Sequence, residues 1–200
     1  MTPIEICNIG LIALGDRHLI QSFDDGGVAA ECAKATFRAQ MEAVLAEAPW
    51  NDAAASATLA AVAGSQYRYL LPPDLLSVRH VKTSRPWRRE GRAIITSALP
   101  PITITYTRAL WDGRMAGEDI PLSPILAQAI AHKFASGAAM RITGNANDAL
   151  MAERRYAAAV AQAYSLNAIE RSEPRQAVGS WIDPELADSW DMAAYATWWE

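Results

Sequence analysis

Residues 87–107 read WRREGRAIITSALPPITITYT, and this stretch decides the fold class. Its first half, WRRE-G-RAIITS, is two short runs joined at Gly91, the pattern of a β-hairpin. The last six residues alternate apolar and polar from Ile102 to Thr107, the period of a half-buried strand. Immediately upstream lie ATLAAV (57–62), YRYLLP (67–72) and LLSVRHV (75–81), short runs rich in β-branched and aromatic residues and bounded by Pro and Gly. Residues 57–107 are therefore expected to form one small antiparallel sheet.

On both sides the period changes to that of helices. Pro3 in a first turn and Gly15 beyond an end bracket a helix over 3–14. Ala29, Cys32, Ala33, Thr36, Phe37, Met41, Val44 and Leu45 recur at helical spacing over 26–48, and Pro49 stops the pattern. Downstream, Ser123 is a candidate N-cap and Pro124 opens a helix over 123–140, with Ile125, Leu126, Ala129, Ile130 and Phe134 on its apolar face. A fourth helix, 146–167, carries Leu150, Arg154, Ala157, Val160 and Tyr164 along one stripe. The expected fold class is α+β: a four-helix bundle-like core over residues 1–167 with an inserted antiparallel sheet, followed by an extended C-terminal arm over 168–200.

Length and composition agree with that plan. Two hundred residues, half of them hydrophobic and a fifth charged, suffice for one domain and an appended arm. The net charge of −4 gives the whole chain no basic footprint for nucleic acid. No apolar run approaches the ~18 residues that span a bilayer, and Glu5 interrupts any secretory leader at the start. The expectation is synthesis in a cytoplasm, without a membrane anchor. Cys7 and Cys32 lie in apolar helical patterns and read as small buried hydrophobes, although the two could face each other as a disulfide.

Motifs for catalysis are missing from the text. His18, His80 and His132 fall in a loop, a strand and a helix without ligand spacing, and neither cysteine belongs to a CxxC. No phosphate loop, dinucleotide fingerprint or nucleophile elbow is present. A glycosidase carboxylate pair has no fixed spacing, but the acids here fall mostly on polar helix faces, where solvation explains them. No cofactor, no metal and no enzymatic activity are expected.

The stretch RHVKTSRPWRREGR (79–92) stands apart. Arg79, Lys82, Arg85, Arg88, Arg89 and Arg92 meet a single acid, Glu90, in an otherwise acidic chain. The plain reading is a hairpin edge kept soluble by charge. The functional reading is a cationic strip that meets an acidic neighbour or lines a path for DNA. Trp87 within it would anchor a partner or stack on a base.

Taken in order, IEICNIGLIALG, AAECAKATFRAQMEAVLAEAPWNDAAASATLA, YRYLLPPDLLSVRHV, WRREGRAIIT and ITITYT resemble the tail tubular, or head–tail adaptor, family of short-tailed bacteriophages. The likeness covers residues 4 to about 167 and is loosest around 110–125. It implies a structural protein of the virion, twelve copies in a ring at the head–tail junction. The ring would sit between the portal and the tail nozzle, with DNA passing through the centre and bound without sequence specificity. Arg85, Trp87, Arg88, Arg89 and Arg92 would then face the nozzle or the DNA channel. One related branch of head-completion proteins is associated with peptidoglycan hydrolysis, which makes a virion-borne hydrolase the alternative.

The C-terminal segment fits this picture. Four of the seven tryptophans occupy the last twenty-one residues, SWIDPELADSWDMAAYATWWE, behind Pro174 and Gly179. Roughly thirty extended residues reach about 100 Å. Trp, Tyr and Met are enriched at interface centres, so Trp181, Leu186, Trp190, Tyr195, Trp198 and Trp199 are the expected portal-binding residues. Leu186, Trp190, Ala194 and Thr197 or Trp198 share helical spacing, and packing back on its own domain or on a neighbouring subunit is the competing placement.

Overall fold

Helix α1 (Pro3–Ala13) starts at a reciprocal cap: Thr2 Oγ1 accepts from the Glu5 amide at 3.2 Å, and Glu5 Oε2 accepts from the Thr2 amide at 2.8 Å. Helix α2 (Val28–Glu47) follows Gly26-Gly27 and ends where Ala48 turns extended, as a residue before proline must. The computed structural model describes residues 1–62, 67–113 and 117–170. Within them the chain continues through a 3-10 turn (Asn51–Ala53) and six strands: β1 (Ala54–Leu59), β2 (Arg68–Leu70), β3 (Leu75–Lys82), β4 (Trp87–Glu90), β5 (Ala93–Thr96) and β6 (Ile102–Arg108). Helices α3 (Pro124–Ile142) and α4 (Ala146–Ile169) close it. The fold is mixed α+β.

The β-region is two sheets rather than the single one expected. One has the order β1-β6-β3 and the other β2-β5-β4, each antiparallel and three-stranded. Pro100 and Pro101 lie between β5 and β6. Neither has an amide proton to give a ladder, so the β4–β5 hairpin cannot run on into β6 as a meander. Strand β6 keeps the alternation read from ITITYT: Ile102, Ile104 and Tyr106 are buried. They meet Leu59, Tyr69, Leu71, Val81 and Ile94 in a small core to which both sheets contribute.

Helix α3 packs on α1, α2 and α4, whereas α1 and α2 barely touch. Close approach between α1 and α3 depends on Gly10, where an added Cβ would sit 2.6 Å from the Ala131 carbonyl oxygen. Phe37 and Phe134 meet nearly edge-on at 6.0 Å between centroids, and Phe23 and Trp111 complete the aromatic group. Both cysteines are free and buried, which excludes a disulfide between them.

Two expectations about the helices change. Ser123 does occupy the N-cap of α3, but its side chain makes no capping bond; its amide instead donates to Asp52 Oδ2 at 2.8 Å. Of the stripe predicted for α4, Leu150, Arg154, Ala157 and Tyr164 are exposed and only Val160 is buried; the buried face is Ala152, Tyr156, Val160 and Ala163. An alanine-rich helix has several apolar faces, and the arginine within the predicted stripe belongs on the solvent side.

Helical and β parts are joined at residues 49–53. Trp50 is buried, and its indole N–H closes the end of α2 on the Val44 carbonyl at 2.8 Å. Its ring packs on Tyr164 of α4 at 4.8 Å. Asn51 and Asn167 bond twice, amide to Oδ1 at 2.7 Å and Nδ2 to carbonyl at 3.1 Å, and Asn167 Nδ2 reaches the Pro49 carbonyl at 3.2 Å.

Candidate functional site

The cationic stretch divides when it folds. Arg79 points inward from β3: its Nε donates to Thr107 Oγ1 at 2.8 Å and its Nη2 to the Trp50 carbonyl at 2.5 Å. It is a strut between the junction and the first sheet, not part of a surface strip. Thr107 is fully buried in an otherwise apolar setting because it supplies that acceptor.

Arg85, Trp87, Arg88, Arg89 and Arg92 lie on β4 or at its two ends, and all are exposed, with Arg88 on the face opposite to Trp87 and Arg89. Gly91 and Arg92 form the two-residue loop of the β4–β5 hairpin, and Gly91 takes the positive φ of 57° that the tight turn needs. Arg88 pairs with Glu90 at 2.6 Å. Arg89 Nε donates to the Gly91 carbonyl at 3.0 Å, and Arg92 makes a long 3.4 Å bond to the Pro72 carbonyl. The side chains of Lys82 and Arg85 have no hydrogen bond or ion pair among the described residues.

Four contributors to this surface were not legible in the stretch itself. Arg68 of β2 stands opposite Ile95, as does Arg88 of β4, so the two guanidinium groups flank Ile95 in one cross-strand row. Leu70 pairs with Ala93 on that same face and is exposed, as is Tyr67 just before β2. Leu99 is 84% exposed in the turn after β5. A register between distant strands carries no local sequence signal, although YRYL at 67–70 already alternates.

Two shallow hollows meet at Ser97. One, of about 430 Å³, is lined by Tyr67, Pro86, Trp87, Arg88 and Ile95; the other, of about 320 Å³, by Lys82, Arg85, Leu99 and Pro101. Leaving out the inward Arg79, residues 67–97 carry six basic residues against two acids, a local +4 in a chain of net charge −4. The second sheet is thus a local cationic and apolar surface on an acidic protein.

Elsewhere the titratable groups with displaced pKa values owe the shift to burial or to contacts within the fold. Burial pushes the Cys7 and Cys32 thiols up, so neither is a ready thiolate. Burial, then the hydrogen bond to Glu47, raises the Tyr156 phenol. His132 is held below its usual value by burial and by Arg155. The Gln21 and Ser22 amides bond to Asp25 and lower its carboxyl. Among the described residues no group of three His, Cys, Asp or Glu is placed to hold a metal ion, and no helix is long and apolar enough to cross a membrane.

The predicted portal-binding residues Trp181, Leu186, Trp190, Tyr195, Trp198 and Trp199 lie outside the described residues. The chain matches no known protein-family model and no curated protein sequence.

Proposed function

We infer that this chain is a structural connector of a short-tailed bacteriophage virion, a ring-forming adaptor between the portal and the tail nozzle. The observation that carries the reading is the order of elements: a capped opening helix, a second helix closed by Pro49-Trp50, a strand region ending in an EG hairpin and a tyrosine-bearing strand, then an alanine-rich helical pair. That order is the one the family resemblance calls for.

In this reading the four helices act as a bundle-like core and residues 168–200 as an extended arm. Copies assemble head to tail into a ring of twelve, since one repeated heterologous contact closes when its rotation divides a full turn. Alanine-rich α4 presents Ala157, Ala158, Ala161 and Ala168 outward, where a neighbouring helix can approach closely. DNA passes through the centre unread. The arm's tryptophans fill pockets on the portal, and the acids Asp183, Glu185, Asp188 and Asp191 favour a helix start there. The ring offsets the ordering cost of each arm by attaching many at once.

The test is removal of residues 171–200. The truncated protein is expected to keep its fold by circular dichroism and to lose attachment to portal-bearing heads. Attachment at the full-length level would remove the arm from the account. A cryo-EM reconstruction of the particle that contains this chain would place it at the head–tail junction or exclude it from there.

A further inference from the structure

Two observations about the second sheet go beyond a cationic strip. First, its edges differ. On the β2 side, residues 61 and 62 continue the pairing: Ala61 forms a bridge with Tyr69, and the Val62 amide donates to the Arg68 carbonyl at 2.8 Å. On the β4 side no described strand follows, and all four residues, Trp87 to Glu90, are exposed. Second, the exposed surface at and beside that open edge is both basic and apolar: Arg85, Arg88 and Arg89 stand with Trp87, and the adjoining hollows add Tyr67 and Leu99.

These observations separate two kinds of partner. Phosphates would be served by the guanidinium groups but would leave Trp87 and Leu99 uncovered and the backbone edge unused. An extended protein segment uses all three features. Its backbone adds to the β4 ladder, alternate side chains enter the hollows at Ser97, and its acids meet the arginines. A flat edge strand is ordinarily a hazard because any strand can add to it. Cations on that edge reject neutral and basic strands and admit an acidic one, so the feature that prevents aggregation also sets specificity.

We propose that the open edge of β4, with the two hollows that meet at Ser97, is a strand-addition site for an acidic, apolar-bearing extended segment of a partner protein. The inference takes from the adaptor reading only that this edge meets a partner.

The experiment uses the isolated full chain. Three probes are titrated: a short synthetic peptide alternating Glu with Val and Tyr, its Lys-for-Glu counterpart, and a short mixed-sequence duplex DNA. The Glu peptide is expected to bind, to weaken about tenfold as exposed charges are screened by high salt, and to protect the amides of residues 87–90 from hydrogen exchange. The Lys peptide is expected not to bind. The double variant R85E/R89E, whose native side chains touch no acid among the described residues, is expected to keep its thermal transition and lose the peptide. DNA binding in place of peptide binding, equal binding of both peptides, binding without protection at 87–90, or binding of none of the probes would each overturn the proposal. Because the titration needs no particle, it succeeds or fails independently of where the chain sits in a virion, and a negative reconstruction leaves it standing.

Discussion

Trp50 and Trp87 are two tryptophans in β-rich surroundings that follow a proline directly, yet the chain uses them in opposite ways. Trp50 is buried, its N–H is bonded to Val44, its ring packs on Tyr164 and its carbonyl accepts from Arg79. Trp87 is 41% exposed at a sheet edge, near Arg85 and Arg89, whose side chains have no acid partner among the described residues. Around Trp50 each polar group found a mate within the chain, so the region is complete. Around Trp87 charge and apolar surface remain unspent, so the region is made for something else. The two arginine environments repeat the contrast. Arg79 is inside with two acceptors, and Arg85, six residues later, is outside with none among the described residues.

Replacing each tryptophan by alanine should separate the regions most widely. Trp50→Ala removes a large buried side chain and exposes the end of α2, and is expected to cost about 3–5 kcal/mol in denaturant unfolding. A loss below about 1 kcal/mol would mean that the junction does not join the helices to the sheets. Gly10→Ala comes next. Its Cβ meets backbone rather than a flexible side chain, so α1 must shift from α3, with an expected loss of about 1–3 kcal/mol despite the better helix propensity of alanine. A gain in stability would show that the α1–α3 contact yields easily.

The sequence made the helices and strands legible because their signals are local: Pro3 and Gly15 around α1, Pro49 after α2, Gly91 in the hairpin, and the alternation of Ile102, Ile104 and Tyr106. Pairing was not legible. Whether β5 goes on to β6 or back to β2 is settled by Tyr69 and Ile94 sharing a core from distant segments. The face of α4 was misread because alanine fits inside and outside alike. For the site, the basic stretch was visible, but Arg79 looked like its neighbours. Arg79 falls at the register shift of β3 between Val78 and His80, an irregularity with no linear signal, and there its guanidinium reaches Thr107 and Trp50. Arg68 and Leu99 join the surface through register and a turn, neither of which a linear reading displays.

Smaller effects sharpen the same comparison. Asn167→Ala removes the acceptor for the Asn51 amide and the donor to Pro49, while the bond from Asn51 Nδ2 to the 167 carbonyl survives. The expected loss is about 1–3 kcal/mol. An unchanged midpoint would make the clasp between α4 and the junction dispensable.

Acid tests the helical side through His132. Its Nδ1 is buried without a partner among the described residues, and burial and Arg155 keep it neutral in the folded state. The unfolded chain takes up this proton near pH 6.5, its ordinary value, and the folded chain only at lower pH. Stability should therefore decline as pH falls through that region and then level. His132→Leu should show less of this decline than the parent, as measured by unfolding at a series of pH values. Equal slopes would assign the acid response to other groups.

The smallest expected change is the most informative about the edge. Trp87→Ala, and separately Arg85→Ala, should move the unfolding free energy by no more than about 0.5 kcal/mol, the usual range for surface positions without structural partners. A protein has no stability reason to keep an exposed tryptophan among exposed arginines at an open strand edge. If Trp87→Ala proved as costly as Trp50→Ala, the ring would be holding the hairpin together, and the surface would be an internal strut like Arg79. If the cost is near zero while affinity for the acidic peptide falls, Trp87 serves a partner and not the fold. The difference between the two tryptophans would then be one of purpose as well as of burial.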